Sequence, residues 1–238
     1  MSSDILSLIV ARANSKQLPN KNILLLDGKK VFEYSLDYSR ELEKIYPIHT
    51  VVSTDSNAII DYCKKNNIDY INRDKSLAKD DTKIEDVVYD AYKKLNKNYK
   101  YISIVYADLP TRYIQEFIKA YSFLENEKDY DCAISYTNVR NHPEYMSEKT
   151  NDELIKKKTT HFRKQDLKEY IIYTGHTLLF KSKYFIEYIN SGKKVNYLYE
   201  QFGNKIKPIM TDRLITSIND KRDFELAKAI IRNMYDNS

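Results

Sequence analysis

Glycine is scarce in this chain, four residues in 238, and tryptophan is absent. Neither G-x-x-x-x-G-K-[ST] nor G-x-G-x-x-G occurs, and both need glycines to bring backbone close to phosphate. A P-loop or standard dinucleotide fold is thereby argued against. The two cysteines, Cys63 and Cys132, cannot build a disulfide framework, and each sits in an apolar pattern that suits a buried thiol. A reducing cytoplasm is the expected setting. No apolar run approaches the roughly 18 residues of a membrane span, so no membrane partner is expected. The opening MSSDILSLIV has no basic residue before its apolar run and reads as a first core strand rather than a leader. Net charge is +5, but the cations are interleaved with acids instead of forming a stripe, which argues against nucleic acid. The basic run at 156–158 reads as solvated loop. The 22 tyrosines recur at core-type positions and read as a compositional bias.

What is present is βαβ grammar. Strand-like ILSLIVA (5–11), IHTVVST (48–54), YISIVYA (101–107) and DCAISYT (131–137) alternate with helix-period segments at 31–42, 56–67, 85–95 and 114–124. In 56–67 the apolar face is read as Ala58, Ile59, Tyr62 and Cys63; in 85–95 as Val87, Val88, Ala91, Tyr92 and Leu95. Parallel neighbours need such crossovers, so the expected fold is a single α/β domain with a mostly parallel sheet and helices on both faces. Between about 138 and 170 the pattern dissolves into polar sequence, read as an excursion from the sheet. YTGHTLLF (173–180), IKPIMT (206–211) and RLITSI (213–218) return to β character, and 223–235 closes as an amphipathic helix. Ligands of such sheets sit beyond the strands' carboxyl ends, which points to the loops after Ala11, Thr54, Ala107 and Thr137.

The first of those loops, ARANSKQLPNKN (11–22), carries Arg12, Lys16 and Lys21 with no acid and no glycine. Arg12, Lys21 and the loop's backbone amides can converge on an anion, and a triphosphate needs this much positive charge. The alternative is a solvated basic loop. Elsewhere, DYD (129–131) precedes its strand where a metal-binding D-x-D should follow one, and His142 and His161 lack metal-ligand spacing. No Ser-His-Asp order supports covalent hydrolysis.

The chain resembles the acylneuraminate cytidylyltransferases, which join sialic acid-type sugars to CMP from CTP. ARANSKQLPNKN is similar to their A-R-x-x-S-K-G-L-P-x-K-N, which implies triphosphate roles for Arg12, Ser15, Lys21 and Asn22, with Ala11 and Asn14 alongside. VVSTDS (51–56) and RDKSLAKDDT (73–82) resemble the next two blocks, the latter implying nucleoside contacts from Arg73 and Thr82. RKQDLKE (163–169) followed by Gly175 resembles R-R-Q-D-L-P-E ahead of a strand with N-G. The resemblance covers nearly the whole chain and also implies a homodimer, with the 138–170 excursion reaching its partner.

The departures fall on the loop, the acceptor and the metal. Gln17 stands at the motif's glycine; a φ > 0 there would cost on the order of 1 kcal/mol. Tyr106 and Ile172 stand where the family has a substrate-binding glutamine and an arginine for the sugar's carboxylate, and D-I-D becomes SIN (217–219). Asp108, directly after the fourth strand, is where related nucleotidyltransferases place a magnesium-binding aspartate, and Asn219 or Asp220 is its candidate partner. Magnesium needs only one or two protein oxygens when phosphate and water complete its octahedron. A helix cap is the competing reading for Asn219 and Asp220, and a turn acid for Asp108. Candidates for an acidic acceptor are Tyr106, Arg112, Arg140, His142 and Arg163. The expected activity is magnesium-dependent transfer of CMP from CTP to a small acidic acceptor, catalysed chiefly by Arg12 and Lys21. The alternatives are transfer to a phosphonate or phosphorylated small molecule, transfer from a different nucleotide, and a non-catalytic nucleotide-binding protein.

Overall fold

A computed structural model describes residues 3–150, 153–155, 163, 165, 167–197 and 199–236. Its centre is β1 (Ile5–Val10), which turns Ile5, Ser7 and Ile9 to one face and Leu6, Leu8 and Val10 to the other. A strand covered on both faces has no polar side to present, and its sequence reads as a nearly continuous apolar run.

Along the chain β1 is followed by the short hairpin β2 (Leu25–Leu26) and β3 (Lys29–Lys30), then α1 (Val31–Glu43), β4 (Ile48–Thr54), α2 (Asn57–Lys65) and β5 (Tyr70–Asn72). Next come α3 (Ile84–Leu95), β6 (Tyr101–Tyr106), α4 (Ile114–Asn126) and β7 (Cys132–Asn138). The hairpin β8 (Glu148–Thr150) and β9 (Glu153–Ile155), β10 (Ile171–Lys181), α5 (Ser182–Asn190), β11 (Ile206–Met210) and α6 (Lys221–Asp236) complete the described elements. Seven strands form one sheet in the order β11-β7-β10-β6-β1-β4-β5. β1 pairs in parallel with β4 and β6, as do β4 with β5 and β7 with β11, whereas β10 runs antiparallel to both neighbours. Phe32, Leu36, Ile59 and Phe117 from α1, α2 and α4 cover one face; Val88, Ala91 and Phe185 from α3 and α5 cover the other. A third cluster seats Ala227 and Ile231 of α6 on Leu26, Val31 and Ile218.

Several expectations are corrected. RLITSI is no strand: among the described residues it has no ladder partner, and it is a segment tied to the loop after β6, with the Ile218 amide donating to Asp108 O at 2.8 Å and the Thr216 amide to Thr111 Oγ1 at 3.0 Å. On α2, Ile60 is buried and Ala58 exposed, so the helix is rotated from the expected face. The excursion leaves at β7 and returns at β10, its neck closed by the Val139 amide donating to Tyr170 O at 3.1 Å. The basic run at 156–158 and His161 lie outside the described residues. Asp131 of DYD sits at the amino end of β7, where its carboxylate accepts the Asn204 and Lys205 amides as a turn anchor.

Candidate active site

The carboxyl ends of β1, β4, β5 and β6 lie side by side, and the residues just beyond them are Arg12, Asp55, Arg73 and Asp108. Arg12, Arg73 and Asp108 line a cleft of about 330 Å³ there. Of the residues expected to bind nucleotide or metal, Arg12, Lys21, Asn22, Arg73, Thr82, Asp108 and Asn219 line it, and so does Tyr106. These come from positions up to two hundred residues apart, brought together by the central strands.

The loop 11–22 is held without glycine. The Ala11 amide donates to Ser53 O at 3.0 Å and continues the β1–β4 ladder, and buried Asn22 donates through Nδ2 to Arg12 O at 2.9 Å. Its left-handed residue is Asn20, with φ 57, and Gln17 is not in that region. Asparagine tolerates this conformation better than most side chains, so the penalty considered for Gln17 does not arise.

Arg12, Lys21 and Arg73 of the cleft are each held by oxygen. Lys21 Nζ donates to Asp108 Oδ2 at 2.5 Å and to Ile218 O at 2.9 Å, largely out of solvent. Arg12 and Lys16 share Asp80, one on each carboxylate oxygen at 2.7 and 2.8 Å, and these two cations hold the Asp80 carboxyl below its ordinary range. Arg73 is buried, with Nε on Ser53 Oγ at 3.1 Å and a terminal nitrogen on Ser53 O at 2.7 Å. Burial pushes its guanidinium down to about 10, and nearby Asp55 works in the opposite direction. At physiological pH it stays a cation. The floor of the cleft is apolar, from Val10, Leu77, Ile84 and Val87.

Other candidates lie elsewhere. Ala11 is buried beneath the loop, and Asn14 and Ser15 belong to the loop without lining the cleft. Asp220 is corrected to a helix cap: its Oδ1 accepts the amides of Arg222 and Asp223, while Asp223 accepts those of Asn219 and Asp220, a reciprocal cap on α6. Arg112 is corrected to an internal strut. It is buried, and its guanidinium donates to Tyr106 O, Leu109 O, His176 O and Ser35 Oγ at 2.6 to 3.2 Å. The four oxygens come from α1, β6, β10 and the loop after β6, an internal environment for the guanidinium. His142 is likewise structural: Nδ1 accepts the Glu144 amide and Nε2 faces Lys168 O, joining both ends of the excursion. Arg140 and Arg163 are exposed on the excursion and do not line the cleft. Sequence reasoning passed over Asp80, Lys79 and Leu77, which line the cleft from the same RDKSLAKDDT block that contributes Arg73 and Thr82.

The cytidylyltransferase family model matches residues 6–235. The chain belongs to the cytidylyltransferase family. Among curated relatives, N-acylneuraminate cytidylyltransferase of Streptococcus agalactiae serotype V is 29% identical over 139 residues, which is 57% of this chain and 32% of that protein. N-acylneuraminate cytidylyltransferase of Escherichia coli O18:K1:H7 is 25% identical over 97% of this chain and 52% of its own length. The chain thus spans between a third and a half of these longer relatives. In fold it is similar to the structure of CMP:2-keto-3-deoxy-manno-octonic acid synthetase complexed with CTP, at TM-score 0.72 and 12% identity, covering 98% of this chain and 100% of that one. Family membership fixes the fold class: a Rossmann-like nucleotidyltransferase sheet with one reversed strand. Among the described residues no helix is long and apolar enough to cross a membrane.

Proposed function

We propose that the chain transfers CMP from CTP to a small acidic acceptor. The observation that carries this reading is the convergence of Arg12, Lys21, Arg73 and Thr82 on one cleft at the ends of the central strands, with Asp108 opposite Lys21. An acceptor oxygen attacks the α-phosphorus, the α–β anhydride bond breaks, and pyrophosphate leaves with the bonding electrons. Arg12 and Lys21 are placed to stabilise the charge that accumulates on the leaving group, and such fixed cations need no reorganisation during the reaction. The apolar floor accepts a base, with Arg73 and Thr82 at its edge. Relatives that carry N-acylneuraminate cytidylyltransferase activity in their names, and a fold neighbour complexed with CTP, support cytosine as that base.

Among the described residues there is no cluster of three or more His, Cys, Asp or Glu that could hold a metal by itself. One carboxylate, Asp108, and one amide, Asn219, on the cleft wall nevertheless suit magnesium, which takes its remaining oxygens from phosphate and water. When bound there, magnesium would neutralise phosphate charge. Asp108 and Asn219 would hold the metal, and Lys21, bonded to Asp108, would stand beside it on the same cleft wall. A homodimer contacting through the excursion is part of the reading, supported by the exposed Tyr145, Met146 and Tyr170 on that segment.

The acceptor differs from N-acetylneuraminate. Its carboxylate would need a paired donor, and in this chain Ile172 is exposed, Tyr106 lines the cleft, and Arg112 is internally bonded. A buried carboxylate without a cation costs several kcal/mol. Pyrophosphate release from each nucleoside triphosphate, with magnesium and a panel of sugar acids, phosphates and phosphonates, tests the reading. CTP with one acidic acceptor should give turnover, and N-acetylneuraminate should fall well below 10⁴ M⁻¹s⁻¹ in kcat/KM, roughly the lower bound for native substrates. No release with any acceptor would contradict transferase activity.

A further inference from the structure

The block VVSTDS runs out of β4 into the start of α2, and its last acid touches no wall of the cleft. Asp55 instead faces back toward β1. Along β1 and β4 the paired residues run from Ile5–Ile48 to Val10–Ser53, and the Ala11 amide adds a further bond to Ser53 O. At the next rung β4 has turned away. There the Ala13 amide donates to Asp55 Oδ1 at 2.7 Å, so a side-chain carboxylate continues the ladder beyond the strand. The same three-residue stretch grips the other wall. The Arg73 amide donates to Thr54 O at 2.8 Å, and its guanidinium donates to Ser53 Oγ and O. Asp55 is also the leading negative charge acting on the Arg73 guanidinium.

We infer that Asp55 is a positioning residue: by holding the Ala13 amide it fixes Arg12 relative to Arg73, and so sets the spacing of the triphosphate end of the site against its nucleoside end. The inference rests on the CTP reading above. A carboxylate so near a polyanion site works against phosphate by charge, so its use lies in the bond it accepts. A loop with no glycine and one asparagine in the left-handed region follows one path, and a single rung at its first bend determines where the Arg12 side chain begins. If Asp55 served only the amino end of α2, its loss would lower stability and leave nucleotide affinity alone.

Calorimetric titration of CTP and steady-state kinetics on three variants separate these roles. Asp55→Asn retains an acceptor for the Ala13 amide and should stay within about threefold of the parent in Kd and KM for CTP. Asp55→Ala, which removes the rung, should raise both at least about tenfold with kcat changed less, the pattern of lost binding common to ground and transition states. Asp55→Glu keeps the charge but moves it one methylene out, and should resemble Ala. If Asp55→Ala fails to fold by circular dichroism, Asp55→Glu decides. Parental affinity in Asp55→Ala or Asp55→Glu, or a loss in Asp55→Asn as large as in Ala, would overturn the inference. A parent chain that binds no CTP would instead overturn the functional reading.

Discussion

Lys21 Nζ sits 2.5 Å from Asp108 Oδ2, joining the end of the loop after β1 to the loop after β6. The same ammonium caps Ile218 O on the segment before α6, so one cation gathers three stretches of chain. Charge-assisted bonds of this kind are worth about 1.5–3 kcal/mol. Lys21→Ala should weaken CTP binding or turnover by that amount, roughly tenfold to 150-fold, in titration and kinetics run side by side. Unchanged affinity and rate would return the loop to a solvated surface.

The partner substitution separates charge pairing from metal binding. Asp108→Asn frees Lys21, so CTP measured in chelator should bind at least as tightly as to the parent. Turnover should nevertheless fall by about 100-fold and recover little as magnesium is raised, because an amide is a poorer ligand for a hard cation than a carboxylate. Full activity with the parental magnesium optimum would place the metal elsewhere.

Arg112 makes a prediction about stability. Its guanidinium is buried, and burial pushes it down to about 10, still charged at neutral pH. A lysine ammonium cannot span four oxygens contributed by four parts of the fold. Arg112→Lys should cost about 3–5 kcal/mol in denaturant unfolding, the usual penalty for breaking a buried charged network. A variant that keeps its midpoint and loses only kcat/KM toward the acceptor would show that Arg112 serves the substrate after all.

Acidification should destabilise the chain through His176. Burial, assisted by the neighbouring Arg112, pushes this imidazole down to about 3 from an ordinary value of 6.5. Between those two values the unfolded chain holds a proton that the native chain does not. Stability therefore rises with pH across that window and is lost as pH falls from about 6.5 toward 3, by up to about 1.4 kcal/mol per unit. His176→Asn should flatten this slope in thermal melts at pH 7, 6 and 5. An equal slope in parent and variant would assign the acid sensitivity to other groups.

The sheet and half of the site were legible because they rest on local signals. β1 announces burial on both faces by its composition, Arg12 and Asp108 follow strand ends closely, and Lys21 closes the loop in which Arg12 stands. Direction was not legible in β10: its apolar run is the same whichever way the strand points, and only pairing with β6 and β7 reverses it. Nor was the depth of Arg112, since an arginine after a functional strand reads alike whether it meets solvent, substrate or carbonyl oxygens. Asp220 and Asn219 are adjacent and chemically close, yet one caps α6 and the other lines the cleft. The bend before α6 decides this, and composition does not record it. Gly175 shows the reverse case, where a single residue type carries structural information: its φ of +75 is one that L side chains rarely adopt, and a Cβ there, 2.9 Å from Leu109 Cδ1, would also push that side chain aside.

The proposed function stands or falls on whether the cleft between β1, β4, β5 and β6 holds CTP. Calorimetric titration of the unmodified chain with CTP, ATP, GTP and UTP, under identical magnesium and salt, measures it directly. CTP should bind at least about tenfold more tightly than each of the others, a difference of about 1.4 kcal/mol. Equal affinity for all four, or binding to none, would contradict it.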